Sequence, residues 1–212
     1  MGDLSNLLSS AYVFSRKQVP HTAPTITVVK STPRAKYLIH LAETRNQTRE
    51  WANGRGDVQG VPKFFKDISI KFAAEHKLGI TVIEGDDLLK EGFRLMHAVG
   101  RASVNKPVFV NLSYKGNPKS NTWTAFVGKG LCFDTGGLNI KPAVGMFGMF
   151  TDKAGAMAVL SAFQTIVKLR LSINLTCSIG LVENSINENA YRPADIIASR
   201  KGLTVEIGHT DA

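Results

Sequence analysis

Two short apolar runs, Thr124 to Val127 and Leu175 to Val182, bracket a segment in which Ala156, Val159, Leu160, Phe163, Ile166 and Val167 recur at helical spacing. Short apolar runs bury themselves as strands, and a stripe repeating every 3.6 residues is a helix buried along one side. The rest of the chain keeps the alternation. Lys36 to Ala52 reads as a helix broken by Asn53-Gly54-Arg55-Gly56-Asp57, and Pro62 opens a second one that carries Phe65, Ile68 and Phe72 and stops at Gly79. Ile80 to Ile83, Val108 to Leu112 and Leu203 to Ile207 read as strands, and Asp86 or Asp87 caps a helix carrying Leu88, Leu89, Phe93 and Met96 as far as Gly100. Helices alternating with apolar strands predict an α/β fold: a mixed, mostly parallel sheet with helices on both faces. The small residues Ala154, Gly155 and Ala156 would let the central helix approach that sheet closely.

The regular pattern begins at about residue 36. Before it, Pro20, Pro24 and Pro33 surround one strand-like run, Thr25 to Val29, so residues 1–35 read as a lead-in and 36–212 as the folded unit. No stretch approaches the roughly 18 apolar residues of a membrane helix, and the first thirty residues lack a signal-peptide pattern. The expectation is a soluble, cytoplasmic protein without membrane contact. Cys132 and Cys177 form neither a disulfide framework nor a zinc-knuckle spacing.

Lys and Arg number 26 against 17 Asp and Glu, a formal charge of +9. The basic residues are scattered singly through apolar runs and glycine-rich turns. A nucleic-acid surface needs them clustered on one face with interleaved aromatics, so nucleic acid is not expected as a partner.

Chemistry concentrates in Val127-Gly128-Lys129-Gly130-Leu131-Cys132-Phe133-Asp134-Thr135-Gly136-Gly137-Leu138-Asn139-Ile140-Lys141 and its continuation to Asp152. Lysines and carboxylates fall at strand ends and turns, between glycines that let backbone approach a ligand. Ligands of open α/β sheets gather at the carboxyl ends of strands, and Lys129 and Asp134 read as lying just past such an end. Each residue also has an ordinary reading: Lys129 and Asp134 as turn residues, Asp152 as a helix N-cap, Gly136-Gly137 as a tight turn. Gly128-Lys129-Gly130 lacks the spacing of a phosphate-binding P-loop.

This segment, with Met149, with Glu183-Asn184, with Asn189-Ala190-Tyr191-Arg192-Pro193 and Asp195, and with His209-Thr210-Asp211-Ala212, resembles the leucyl (cytosol) aminopeptidase family over residues 36–212. The spacings between residues 129, 134, 141, 152 and 211 match that family without a gap. The resemblance implies a partial aminopeptidase catalytic domain, with residues 1–35 a remnant of the family's amino-terminal domain. It implies an enzyme that releases Leu-like amino-terminal residues from peptides, using two divalent ions, Mn2+ or Zn2+, that activate a bridging hydroxide. Carried over, the metal ligands are Lys129, Asp134, Asp152 and Asp211, with Asp134 contacting both ions. Hard oxygen donors suit such ions. Lys129 would bind as a neutral amine, which demands burial. Lys141 would stay charged and stabilise the transition state, and Met149 would wall the pocket for the first side chain, although a core-filling methionine is an equal reading. The family forms hexamers, so a homo-oligomer is expected.

Departures are visible. Phe147 stands where many members have Asp, and Ala154-Gly155 replaces a Gly-Gly. The family's next glutamate, a ligand of both ions, and its next arginine fall just beyond Ala212. The expectation is therefore a chain truncated at both ends and inactive by itself, the alternative being a non-catalytic relative that serves as an assembly subunit.

Overall fold

The computed structural model describes residues 3–14, 32–56 and 59–212. The strand-like run Thr25 to Val29 lies outside the described residues. The elements are α1 (Asp3–Ser10), α2 (Pro33–Asn53), α3 (Pro62–His76), β1 (Gly79–Glu84), α4 (Asp87–Lys90), α5 (Arg94–Gly100), β2 (Val108–Lys115), β3 (Thr124–Asp134), α6 (Ala143–Phe147), a 3-10 turn (Met149–Thr151), α7 (Ala154–Lys168), β4 (Asn174–Asn184), β5 (Ile196–Ala198) and β6 (Thr204–Glu206).

The first four strands form one sheet in the order β1-β2-β4-β3, and β5 and β6 pair separately. The fold is α/β with a mixed sheet, as expected. Its parallel character is smaller than expected, because only β3 pairs parallel to β4 while β1–β2 and β2–β4 are antiparallel. The reason lies in the connections. Only the β3–β4 link contains a full-length helix, α7, and a parallel pair needs such a crossover.

The core lies on one face of the sheet. Val108, Val110 and Leu112 of β2 and Leu175, Cys177, Ile179 and Leu181 of β4 alternate inward against Phe65 and Phe72 of α3, Met157, Leu160 and Phe163 of α7, and Trp51 of α2. Period-2 burial along β2 and β4 is what a half-covered strand dictates. α5 lies over the opposite face, where the Met96 sulfur would lie 3.3 Å from a Cβ at Gly180.

Element boundaries depart from the sequence reading in two places that bear on the site. The helix expected from Asp86 to Gly100 is two helices, because Phe93 leaves the helical path to place its ring 4.6 Å from that of Phe109 on β2, with the Arg200 guanidinium over it at 4.5 Å. β3 runs seven residues past the expected Val127. Its Gly128 survives inside a strand because α7 is packed directly on it: a Cβ there would come within 2.5 Å of the Ala156 Cα.

Candidate active site

A β-bulge decides which face the site residues share. Lys129 and Asp134 are five residues apart, and in a regular strand an odd separation puts two side chains on opposite faces. The register of β3 on β4 shifts between Leu131 and Phe133, so that Lys129 lies opposite Gly180 and Asp134 opposite Asn184. Those partners are four residues apart and share a face. The extra residue therefore brings Lys129 and Asp134 to the same side of the sheet, and it does so next to the site, where bulges characteristically re-aim side chains. Neither residue lies beyond the strand end: Lys129 is within β3 and Asp134 is its last residue.

Asp134 is buried, at 1% exposure. Its Oδ1 accepts hydrogen bonds from the Gly136 amide at 2.8 Å and the Asn184 Nδ2 at 2.9 Å. Its Oδ2 is buried without a hydrogen-bond partner and faces the Lys141 ammonium at 3.4 Å. The turn through Gly136 and Gly137 has φ of +87° and +65°, a conformation that suits glycine, and it brings Lys141 back to the strand end. Lys141 donates to both oxygens of Asp211 at 2.6 Å. The two acids thus share one cation. The Asp211 contact, then the nearby Asp134 charge, raises the Lys141 pKa above the ordinary lysine value, so the ammonium is charged at neutral pH. The same contact holds the Asp211 carboxyl below the usual range.

Lys129 and Asp152 form a separate ion pair at 3.0 Å. The burial expected of Lys129 is not found. Its side chain is 53% exposed, because it projects from the sheet face away from α7. Asp152 is not a helix N-cap either. It ends the 3-10 turn, its amide donates to the Met149 carbonyl at 3.2 Å, and the residue capping α7 is Lys153. Met149, half-buried, begins that turn. The terminal residue Ala212 lines a cavity of about 230 Å³ together with Lys129, Leu131, Val182, Met96 and Val99. Lys129 and the residue that follows Asp211 therefore line one opening. A larger cavity of about 790 Å³, lined among others by Glu84, His97, Arg101, Lys106 and Arg192, contains none of the five residues.

Several supports were given no role in the sequence reading. Thr210 is fully buried; its hydroxyl donates to the Gly136 carbonyl at 2.7 Å and accepts from the Asn139 amide at 2.8 Å. The Thr210 carbonyl accepts from Asn184 Nδ2 at 2.8 Å and from the Tyr191 hydroxyl at 2.5 Å. Burial, followed by the charges of Asp134 and Asp211, pushes Tyr191 up to about 12, so it remains a donor. These bonds hold the strand end, the glycine turn and the Asp211 segment as one unit. Asn184 and Tyr191 were visible in the motif, but nothing in the sequence assigned them to Thr210.

The donor chemistry can be weighed against divalent ions. Among the described residues no group of three His, Cys, Asp or Glu side chains is close enough to hold a metal. The acids occur instead with ammonium groups, and the unpartnered Oδ2 of Asp134 is a hard donor aimed at positive charge. A hard cation suits that oxygen. The residues fit such ions as separate Asp–Lys groupings rather than as a closed cage.

Comparison with known proteins decides the family. The model of the cytosol aminopeptidase family, catalytic domain, matches residues 46–212. The chain belongs to the cytosol aminopeptidase family. It is similar to the "Probable cytosol aminopeptidase" of Fusobacterium nucleatum, with 33% identity over 199 residues that cover 94% of the chain and 41% of that relative. Among solved structures it resembles the Caenorhabditis elegans leucine aminopeptidase, with a TM-score of 0.91 at 32% identity, covering 99% of the chain and 44% of that protein. It also resembles the bottromycin maturation enzyme BotP in complex with Mn, with a TM-score of 0.85 at 30% identity over 98% of the chain and 45% of that enzyme. The chain thus spans less than half the length of these family members. No described helix is long and apolar enough to cross a membrane.

Proposed function

We propose that this chain carries the metal-binding half of a cytoplasmic aminopeptidase that releases Leu-like amino-terminal residues from peptides with the help of two divalent ions, Mn2+ or Zn2+. One observation supports the reading above all: the buried Oδ2 of Asp134 has no hydrogen-bond partner and faces the Lys141 ammonium at 3.4 Å, on a residue that the bulge sets on the same sheet face as Lys129. Lys129, Asp134, Asp152 and Asp211 would hold the ions, which would supply a nucleophile at neutral pH and Lewis acidity at the scissile carbonyl. Lys141, kept protonated by two acids, offers a fixed positive charge to an oxygen that becomes negative as the peptide bond is attacked, and preorganised charge of this kind lowers the barrier. Met149, at the start of the turn that positions Asp152, would border the first side chain of the substrate.

A graft tests this reading. Residues 46–212, placed in the C. elegans leucine aminopeptidase in place of the matching segment, are expected to give a chimera that hydrolyses leucine amide with Mn2+, and D134N in that chimera to reduce the rate at least about a hundredfold, as loss of a group acting in a unit does. A folded chimera without activity overturns the assignment.

A second reading, a non-catalytic assembly subunit, is favoured by the exposure of Val127, Val144 and Phe147. Mass measurement of the chain alone and mixed with a full-length relative tests it. A chain that stays monomeric and ignores the relative rejects it.

A further inference from the structure

Lys153 is fully buried, and neither the motif nor the proposed chemistry uses it. As the residue that caps α7, it places a cation at the end of its own helix where the macrodipole is positive, an unfavourable location. The amine does not stay there. It reaches the far end of α2 and donates to the Gly54 carbonyl at 2.7 Å and the Ala52 carbonyl at 3.3 Å. α2 has no basic residue in its own last turn, so Lys153 supplies the positive charge that a helix C-terminus favours. The same amine also donates to the carbonyl of Phe150 in the 3-10 turn. A second contact crosses the same seam, the Arg55 guanidinium over the Phe150 ring at 4.8 Å.

Asp152 lies between these two anchored neighbours. With Phe150 and Lys153 both fastened to the end of α2, the backbone of Asp152 is fixed from either side, and its carboxylate is held 3.0 Å from the Lys129 amine. We propose that Lys153 is a positioning residue, a buried clasp between the end of α2 and the 3-10 turn that sets the Asp152 carboxylate against Lys129. It neither touches substrate nor ligates an ion. The inference deepens the aminopeptidase reading and rests on it only for the role of Asp152.

The test uses the 212-residue chain with Lys153→Met, which keeps the bulk and removes the donor. Hydrogen exchange followed by mass spectrometry is expected to rise about tenfold both in Gly148–Asp152 and at the end of α2, two segments some hundred residues apart in sequence that the Lys153 amine joins. Calorimetric titration with Mn2+ is expected to show affinity about tenfold weaker, the range found when groups that orient a ligand are removed. Leu112→Ala, a core change in β2, should lower the melting temperature without either effect, which separates positioning from general destabilisation. Exchange confined to α7, or Mn2+ affinity equal to that of the parent chain, overturns the clasp. If the parent chain itself takes no Mn2+, the exchange result alone decides the clasp, and leucine amide hydrolysis by the chimera remains the separate test of the aminopeptidase reading. Should Lys153→Met not fold, Arg55→Ala, at an exposed residue of the same seam, is expected to raise exchange about threefold in the same two segments, and no rise there overturns the proposal.

Discussion

A single hydroxyl carries much of the site's order. Thr210 satisfies the Gly136 carbonyl and the Asn139 amide at once, and Thr210→Val keeps the shape while taking this partner from the buried carbonyl and the half-buried amide. That should cost about 1–3 kcal/mol, a loss of roughly 2–12 °C in melting temperature for a chain of this size, readable by calorimetry. Buried thiols give a pH signature of their own. Burial pushes Cys177 up to about 12 from an ordinary value of 9.0. The folded form therefore keeps a proton that the unfolded chain gives up, so this contribution to stability is whole below pH 9 and is lost as pH rises toward 12. Denaturant midpoints between pH 8 and 11 should fall less steeply for Cys177→Ala than for the parent, and equal slopes would count against it. At this scale the sequence was partly readable. Acids and lysines stood out by type and spacing, yet their partnerships did not: that Lys141 would bridge Asp134 and Asp211, or that Lys153 would turn away from its own helix, depends on packing between segments far apart in the chain.

Among the elements, the contact between α7 and β3 has the least room. A Cβ on Gly128 would fall 2.5 Å from the Ala156 Cα and 3.0 Å from its amide nitrogen, both backbone atoms that cannot swing aside. Gly128→Ala is thus expected to destabilise by about 1–3 kcal/mol, as overpacking does, and to push α7 away from the strand that holds Lys129. Gly148→Ala, with nothing within 4 Å of the new carbon, should stay within about 0.5 kcal/mol of the parent. Urea unfolding of the two variants compares them directly. The periodic elements were legible: a helix opening at Pro62 and stopping before Gly79 matches α3, and the stripe matches α7, because one buried face writes itself into the sequence. The bulge in β3 was not. It depends on how β3 pairs with β4, and a glycine-rich run containing Cys132 reads equally as loop or strand. The division of α4 from α5 was hidden likewise, since it comes from Phe93 stacking on a strand still fifteen residues away.

For the molecule as a whole, charge and apolar surface act in opposite directions. A formal charge of +9 opposes contact between copies. Among the described residues several cations are paired with acids, as in Lys63–Asp67, Lys66–Glu84, Lys90–Asp87, Lys129–Asp152 and Arg192–Asp195. In the segment between β3 and α7, meanwhile, Ile140 and, on α6, Val144 and Phe147 stand 62%, 93% and 79% exposed, a grouping of apolar side chains that single surface hydrophobics do not make. Salt separates the two influences by sign. It screens repulsion beyond roughly 10 Å at 0.1 M and leaves apolar burial intact, so sedimentation velocity should show a larger mass at high salt than at low. Phe147→Lys with Val144→Lys should return the chain to a monomer in both. Binding to DNA would have the opposite dependence, strongest at low salt and falling steeply as counterions compete. A mass that is monomeric at every salt concentration would remove this segment as a contact surface between copies, and retention on DNA at low salt would show that the paired lysines leave more free charge than their geometry implies.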